Sequence, residues 1–179
     1  NAVLRYAERH FDAVIGVSEF ARQEIIKAYH IPEEKVYAIM NGVDVFYRKT
    51  NKDITEQVLA KYSCPQEKYF LYVGGLQTHK NIPYLIKSYS LLKERGVKEK
   101  LILAGSPSYG AEEAYDAARH SKYESDIFFI DFVPANDLPA LYSGATALVY
   151  LSLHEGFGLP IVEAMACGTP VIASNTTSI

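Results

Sequence analysis

Apolar and polar positions along this chain fall into alternating blocks. Residues 12–17 (DAVIGV) form a short apolar run, and Phe20, Ile25, Ile26 and Ala28 then recur near helical spacing up to His30. A strand followed by a helix is predicted there. Ile31 and Pro32 end that helix, residues 36–40 read as a strand, and Asn41-Gly42 is a turn signal. Residues 44–66 are largely polar, with one helix predicted over 54–62. The pattern divides the chain into 1–43, a linker at 44–66, and a main domain over 67–179.

From residue 69 the blocks become regular. Residues 69–73 (YFLYV) are apolar throughout and end at Gly74-Gly75, as in a strand buried on both faces. Asn81 is expected to cap a helix with Pro83 in its first turn; Leu85, Ile86, Tyr89 and Leu92 line one face and Gly96 stops it. Strands follow at 101–104, 127–132, 146–151 and 170–173, separated by helices near 112–122, 136–143 and 160–167. Strands joined through helices by connections of this length require a parallel sheet, so a doubly wound α/β domain is expected. Such sheets bind ligands beyond the carboxyl ends of their strands. Function is therefore sought at residues 74–80, 105–109, 133–137 and 152–159.

Composition narrows the classes. At 179 residues the chain has room for one full domain and a fragment of another. Eighteen Lys and Arg against 21 Asp and Glu give a net charge of −3, so no bulk attraction to nucleic acid is expected and any anion needs a local site. Cys64 and Cys167 stand apart, without metal-ligand spacing, and fit a reducing, cytoplasmic compartment. No metal site is expected, and Cys167 is read as a packed small residue. No apolar run is long enough to span a bilayer, and the first ten residues lack an initiating Met and a signal-peptide core, so an internal piece of a longer protein is expected. The sheet is expected to lack its C-terminal edge. GxSxG, P-loop, GxGxxG and HExxH patterns are absent.

The chemistry concentrates in HEGFGLPIVEAMACGTPVI, residues 154–172. Gly156 and Gly158 flank Phe157 after a strand, and glycine there lets backbone approach a ligand. Pro160 begins a helix, so the N–H groups of Leu159, Ile161 and Val162 make an anion site suited to a phosphate or diphosphate. Glu155 and Glu163, with seven residues between them, flank that site. A carboxylate accepts from both hydroxyls of a vicinal diol, which a ribose or hexose supplies. Lys80, in the loop after an earlier strand, can neutralise a departing diphosphate.

This stretch resembles the donor-binding signature of the retaining glycosyltransferases of family 4 (glycosyltransferase group 1), which have the GT-B fold. The E-x7-E pair with GFGLP and EAMACGTPV carries the resemblance; NGVD at 41–44, YVGGLQTHKN at 72–81 and LILAG at 101–105 agree with it. It extends over nearly the whole chain from about residue 12. What it implies is a nucleotide-diphospho-sugar site on the Rossmann-like half of a GT-B enzyme. Glu163 would hold the ribose hydroxyls, while Glu155 and the backbone of Gly156, Phe157 and Gly158 would hold the transferred sugar. Leu159 and Ile161 at the helix start would receive the diphosphate together with Lys80, near Gly74 and Gly75. The segment around Val133 and Pro134 would touch the base. Lys80 and Glu155 would be the catalytic residues, with no metal or other cofactor.

The resemblance implies hexosyl transfer with retention from a GDP- or UDP-hexose, with a weak lean to GDP-mannose from Lys80-Asn81. The sugar or lipid-linked acceptor would be bound by a preceding domain outside this chain, so the chain alone is expected to bind donor and to transfer sugar poorly. Peripheral association with the inner face of a membrane stays open, as do a GT-B epimerase, a sugar phosphorylase and a non-catalytic nucleotide-sugar-binding module. One position departs from the pattern: the family's arginine after the strand-ending glycine, or before the lysine, is replaced by Gly75 and His79. A charge-assisted hydrogen bond is worth roughly 1.5–3 kcal/mol, so a weaker diphosphate clamp is expected.

Overall fold

In a computed structural model that describes residues 10–179, the chain sorts into two units. The smaller comprises the described residues up to Gly42 with His154–Leu159 and Asn175–Ile179; the larger comprises Val43–Leu153 and Pro160–Ser174. Residues 1–9 of the segment expected at 1–43 lie outside the described residues.

The smaller unit is a βαβ turn of chain: β1 (Val14–Gly16), α1 (Glu19–Tyr29) and β2 (Val36–Ala38), with Val14 opposite Val36 in a parallel pair. Ser18 starts α1, its Oγ accepting the Ala21 N–H at 3.0 Å and so satisfying a donor the helix cannot. Arg22 ties the helix to β2, donating from Nε to the Val36 carbonyl at 2.7 Å. Gly16 permits this packing, because a Cβ there would lie 2.7 Å from the Arg22 nitrogen.

The larger unit contains α2 (Lys52–Lys61), β3 (Tyr69–Val73), α3 (Ile82–Glu94), β4 (Lys100–Ala104), α4 (Ala111–Arg119), β5 (Ile127–Ile130), α5 (Leu138–Gly144), β6 (Ala147–Tyr150) and β7 (Val171–Ala173). It also holds all but the first residue of α6 (Leu159–Ala166). Its five strands run parallel in the order β5-β4-β3-β6-β7. The path steps outward from β3 through β4 to β5 and then reverses across β3 to β6 and β7. Among the helices α3 packs on α4, and α2 packs on α5. Apolar runs make the strands: Leu71, Leu101, Ile102, Leu103 and Leu148 are fully buried. This is the expected α/β, Rossmann-like sheet, with its topological switch between β3 and β6.

Two local expectations differ from the structure. The stretch 44–66, expected as a linker, is fastened to the larger unit through α2. Asn51 caps α2 by accepting the Ile54 N–H, Thr55, Val58 and Leu59 are buried, and the Thr50 N–H donates to the Ser143 hydroxyl on α5 at 3.0 Å. Polar composition misled here because one apolar face suffices to dock a short helix. Asn81 does precede α3, but its backbone is left-handed (φ 59°) and its side chain caps nothing. The amide instead donates to the Leu151 carbonyl at 3.3 Å.

Candidate functional site

The loops that leave β3 and β6 meet at the switch point. The His79 carbonyl accepts the Leu153 N–H at 2.8 Å and the Ser152 hydroxyl at 3.1 Å, and the Asn81 amide reaches Leu151. Ser152 is fully buried, so these bonds act in a dry setting where an unmade one is costly. Between His79 and Asn81 the chain presents Lys80, whose Nζ donates to the Tyr150 hydroxyl at 3.0 Å and lies 5.4 Å from the centre of its ring. The lysine therefore stands beyond the carboxyl ends of β3 and β6, on a loop fixed at both flanks.

Backbone closes the next part of the rim. The Gly74 N–H donates to the Ala104 carbonyl, the Leu76 N–H to the Ser106 carbonyl, and the Gly105 N–H to the Ile130 carbonyl. A Cβ on Gly105 would lie 1.8 Å from the Gly74 carbonyl oxygen, so these two strand ends touch through glycine. Above them is a cavity of about 260 Å³ lined by Gly74, Gly75, Ser106, Phe132, Val133 and Leu138, among others. Its walls are mainly apolar, with the Phe132 ring 71 % exposed and Val133 buried. A flat aromatic group suits such a slot. Pro134 is exposed and does not line it.

Gly75 leaves space that another residue fills. A Cβ there would lie 2.7 Å from both terminal atoms of the Gln77 amide, and the Gln77 Oε1 is buried with no hydrogen-bond partner. A neutral amide thus lies against the position where an arginine was expected.

Glu163 sits in the second turn of α6, half-buried. Its Oε2 accepts the Tyr142 hydroxyl at 2.7 Å, and the Tyr47 hydroxyl lies near enough to feel its charge. Burial first, and the Glu163 charge second, push both phenols well above their ordinary ionisation range, so both remain donors. Tyr47 leans on the Tyr142 ring at 6.2 Å and stacks on Phe46 at 4.4 Å. The result is a carboxylate held in direction by the Tyr142 hydroxyl, an acceptor prepared for a diol or another donor pair.

The loop before α6 belongs to the smaller unit. The Ser18 hydroxyl donates to the Gly156 carbonyl at 2.6 Å, the Glu155 N–H donates to the Thr177 hydroxyl, and the Glu155 carbonyl accepts the Ser178 hydroxyl. Gly158 is buried with φ +93°, a conformation that favours glycine. Phe157 is half-buried and Leu159 is exposed. Among the described residues no group of three or more His, Cys, Asp or Glu side chains gathers to hold a metal, and no helix is long and apolar enough to cross a membrane.

Comparison with known proteins gives the family. Residues 53–179 match the family described as glycosyl transferases group 1, and residues 1–46 match glycosyltransferase family 4. The chain belongs to the glycosyl transferases group 1 family. It is 36% identical over 167 residues to O-antigen chain mannosyltransferase B of Escherichia coli, covering 93% of this chain and 44% of that protein. It is 33% identical to O-antigen chain mannosyltransferase RfbU of Salmonella typhimurium, covering 97% of this chain and 45% of the relative. The chain thus spans less than half the length of these curated relatives. Among solved structures, Anabaena HepE in complex with UDP and glucose superposes with a TM-score of 0.85 at 23% identity, over 99% of this chain and 48% of that one. Sucrose-phosphate synthase of Thermosynechococcus elongatus does so with a TM-score of 0.79 at 27% identity, over 98% and 43%.

For a group 1 glycosyltransferase chain, the structure distributes the expected residues in an ordered way. Gly74, Gly75 and Val133 line one cavity, Lys80 is held at the switch point, and Ile161 and Glu163 lie on α6. Glu155, Gly156, Phe157, Gly158 and Leu159 group with the smaller unit. Sequence reasoning missed Tyr47, Tyr142, Tyr150 and Gln77. Among 14 tyrosines nothing in the spacing singled these out. The single usable signal was position: Tyr150 is the last residue of β6, in the rim where this fold binds its ligand.

Proposed function

We propose that this chain is the donor-binding part of a hexosyltransferase that takes a nucleotide-diphospho-hexose and transfers the hexose with retention of configuration. The observation that carries the reading is Lys80, pinned at the switch point on the same sheet rim as the Gly74-Gly105 cavity. The base enters that cavity, Glu163 accepts the ribose hydroxyls, and the N–H groups at the start of α6 together with Lys80 receive the diphosphate. As the bond between the anomeric carbon and the diphosphate oxygen breaks, negative charge grows on that oxygen. A fixed ammonium and fixed N–H dipoles stabilise it without a metal ion. Glu155 and the Gly156–Gly158 backbone hold the sugar. The acceptor, a sugar or lipid-linked sugar, is bound by parts of the protein outside this chain.

The names of the curated relatives favour mannose as the sugar, and the Lys80-Asn81 pair gives a weak lean to GDP-mannose as the donor. The test is calorimetric titration of the chain and its Glu163→Ala variant with GDP, UDP, GDP-mannose and UDP-glucose. Binding of one nucleotide series that the variant loses supports the reading and names the base. Absence of binding by a folded chain overturns it. A second reading, a module that binds nucleotide sugar without transferring it, draws on the neutral Gln77 amide lying against Gly75. It predicts donor binding but no donor hydrolysis by the complete protein.

A further inference from the structure

Tyr142 is gripped at both ends by the segment that carries Glu163. Its hydroxyl donates to the Glu163 Oε2 at 2.7 Å, and its backbone carbonyl accepts the Thr169 hydroxyl at 2.6 Å. Glu163 lies on α6 and Thr169 in the turn between α6 and β7, where the Thr169 N–H donates to the Ala164 carbonyl. The neighbouring Leu141 carbonyl accepts the Tyr69 hydroxyl at 2.7 Å. Both carbonyls belong to the end of α5, where an α-helix offers its own carbonyls no partner. Tyr69, Leu141, Tyr142 and Thr169 are all buried, so side-chain hydroxyls fix the backbone on which the Tyr142 ring stands. A glutamate has several side-chain torsions to order, and a carboxylate offers about four acceptor positions. One phenol can therefore set its direction and leave positions for a diol.

We infer that Tyr142 is the positioning residue for Glu163, aiming its carboxylate so that the site selects a sugar with vicinal hydroxyls over one without them. This rests on the reading of Glu163 as the acceptor for the ribose hydroxyls. An acceptor already aimed loses less freedom when the ligand arrives, so the effect falls on the hydroxyl-dependent part of binding and not on the base or the diphosphate. Tyr142 itself touches no substrate in this scheme.

The test titrates GDP against 2′,3′-dideoxy-GDP, and UDP against 2′,3′-dideoxy-UDP, into the full chain and into Glu163→Ala, Tyr142→Phe, the double variant and Tyr89→Phe. The last removes a buried hydroxyl that donates to the Glu99 carbonyl at 2.9 Å and serves as a stability control. Two hydroxyls on a carboxylate give a ribose preference of about a hundredfold, which Glu163→Ala is expected to abolish. Tyr142→Phe keeps the buried ring and is expected to lower that preference by about tenfold. In the Glu163→Ala background the same change is expected to have no further effect, the non-additivity of groups acting together. Tyr89→Phe is expected to lower the unfolding midpoint and leave the preference unchanged. If Glu163→Ala abolishes the preference while Tyr142→Phe leaves it at the parent's value or raises it, the positioning role is overturned and the reading of Glu163 stands. An equal loss in Tyr89→Phe would assign the effect to stability and overturn the role as well. Should Tyr142→Phe fail to fold, Thr169→Val, which frees the Tyr142 carbonyl and keeps its hydroxyl, is judged by the same criterion. If the parent shows no preference, or Glu163→Ala leaves it unchanged, the reading of Glu163 itself fails and the inference falls with it.

Discussion

The Tyr142 hydroxyl donates to Oε2 of Glu163 at 2.7 Å, joining the short helix before β6 to the helix after it. Tyr142 is fully buried, and its backbone carbonyl accepts the Thr169 hydroxyl at 2.6 Å, so the ring has little freedom to leave. Burial, then the neighbouring carboxylate, holds the phenol neutral far above its ordinary range. Tyr142→Phe removes one donor and leaves the packing. It is expected to cost about 1–2 kcal/mol of stability, read from urea unfolding, and to weaken nucleotide binding through a less constrained Glu163. Nucleotide binding equal to the parent's would show that Glu163 needs no such support.

Gly105 makes a stricter demand. Any Cβ at that position would overlap the Gly74 carbonyl oxygen at 1.8 Å, and that contact is backbone, which has nowhere to go. Gly105→Ala is expected to destabilise the larger unit by about 3 kcal/mol or more. It should also distort the adjoining cavity, so nucleotide binding falls even where the variant remains folded. A urea midpoint close to that of the parent would mean that β3 and β4 can part at their ends without penalty.

What could be read from the sequence follows from where the information is local. Strands β3 and β4 were legible because each is an apolar run closed by glycine, and glycine at 74 and 105 is where the strand ends touch. The loop at 154–159 was legible because Gly, Phe, Gly and Pro carry backbone geometry in their identities. The helix α2 was seen, but its attachment was not, since docking depends on Thr55, Val58 and Leu59 meeting α5 more than 80 residues away in sequence. Tyr142 was invisible as a partner of Glu163 for the same reason. A hydroxyl aimed across the fold leaves no spacing signal.

Asp126 gives a pH prediction away from the site. It pairs with Lys100 and with Lys93, whose side chain is 9 % exposed, and those two bonds, the Lys100 bond first, hold its carboxyl below the ordinary range. A carboxylate depressed in the fold adds stability that is fully present above its unfolded value, about 3.9. That stability is lost as the pH falls through the lower folded value. Asp126→Asn is therefore expected to cost about 1 kcal/mol at pH 7 and progressively less as the medium is acidified below pH 4. A deficit that stays constant down to the acid transition would assign the loss to geometry and not to charge.

Donor binding without a metal predicts a specific insensitivity. If Lys80 and the start of α6 hold the diphosphate, calorimetric titration with GDP or UDP should give the same affinity in EDTA as in magnesium, within about twofold. A tenfold or greater loss in EDTA would mean that a cation bridges the diphosphate to the protein and that Lys80 is insufficient.

The two thiols test how closed the larger unit is. Cys64 and Cys167 are free and buried, and both are pushed up to about 11, Cys64 by burial alone and Cys167 by burial first and the Glu163 charge second. The thiolate is the reactive form. At pH 8 the folded chain should therefore react with a disulfide reagent such as DTNB far more slowly than a free cysteine does, and both thiols should titrate at once in denaturant. Cys167 lies just past the end of α6, one turn after Glu163, so its protection reports on the same helix that carries the carboxylate. Cys167 reacting as fast as free thiol, with Cys64 still protected, would mean that α6 opens in the folded chain, and a Glu163 on such a helix could not be held by Tyr142 as the structure has it.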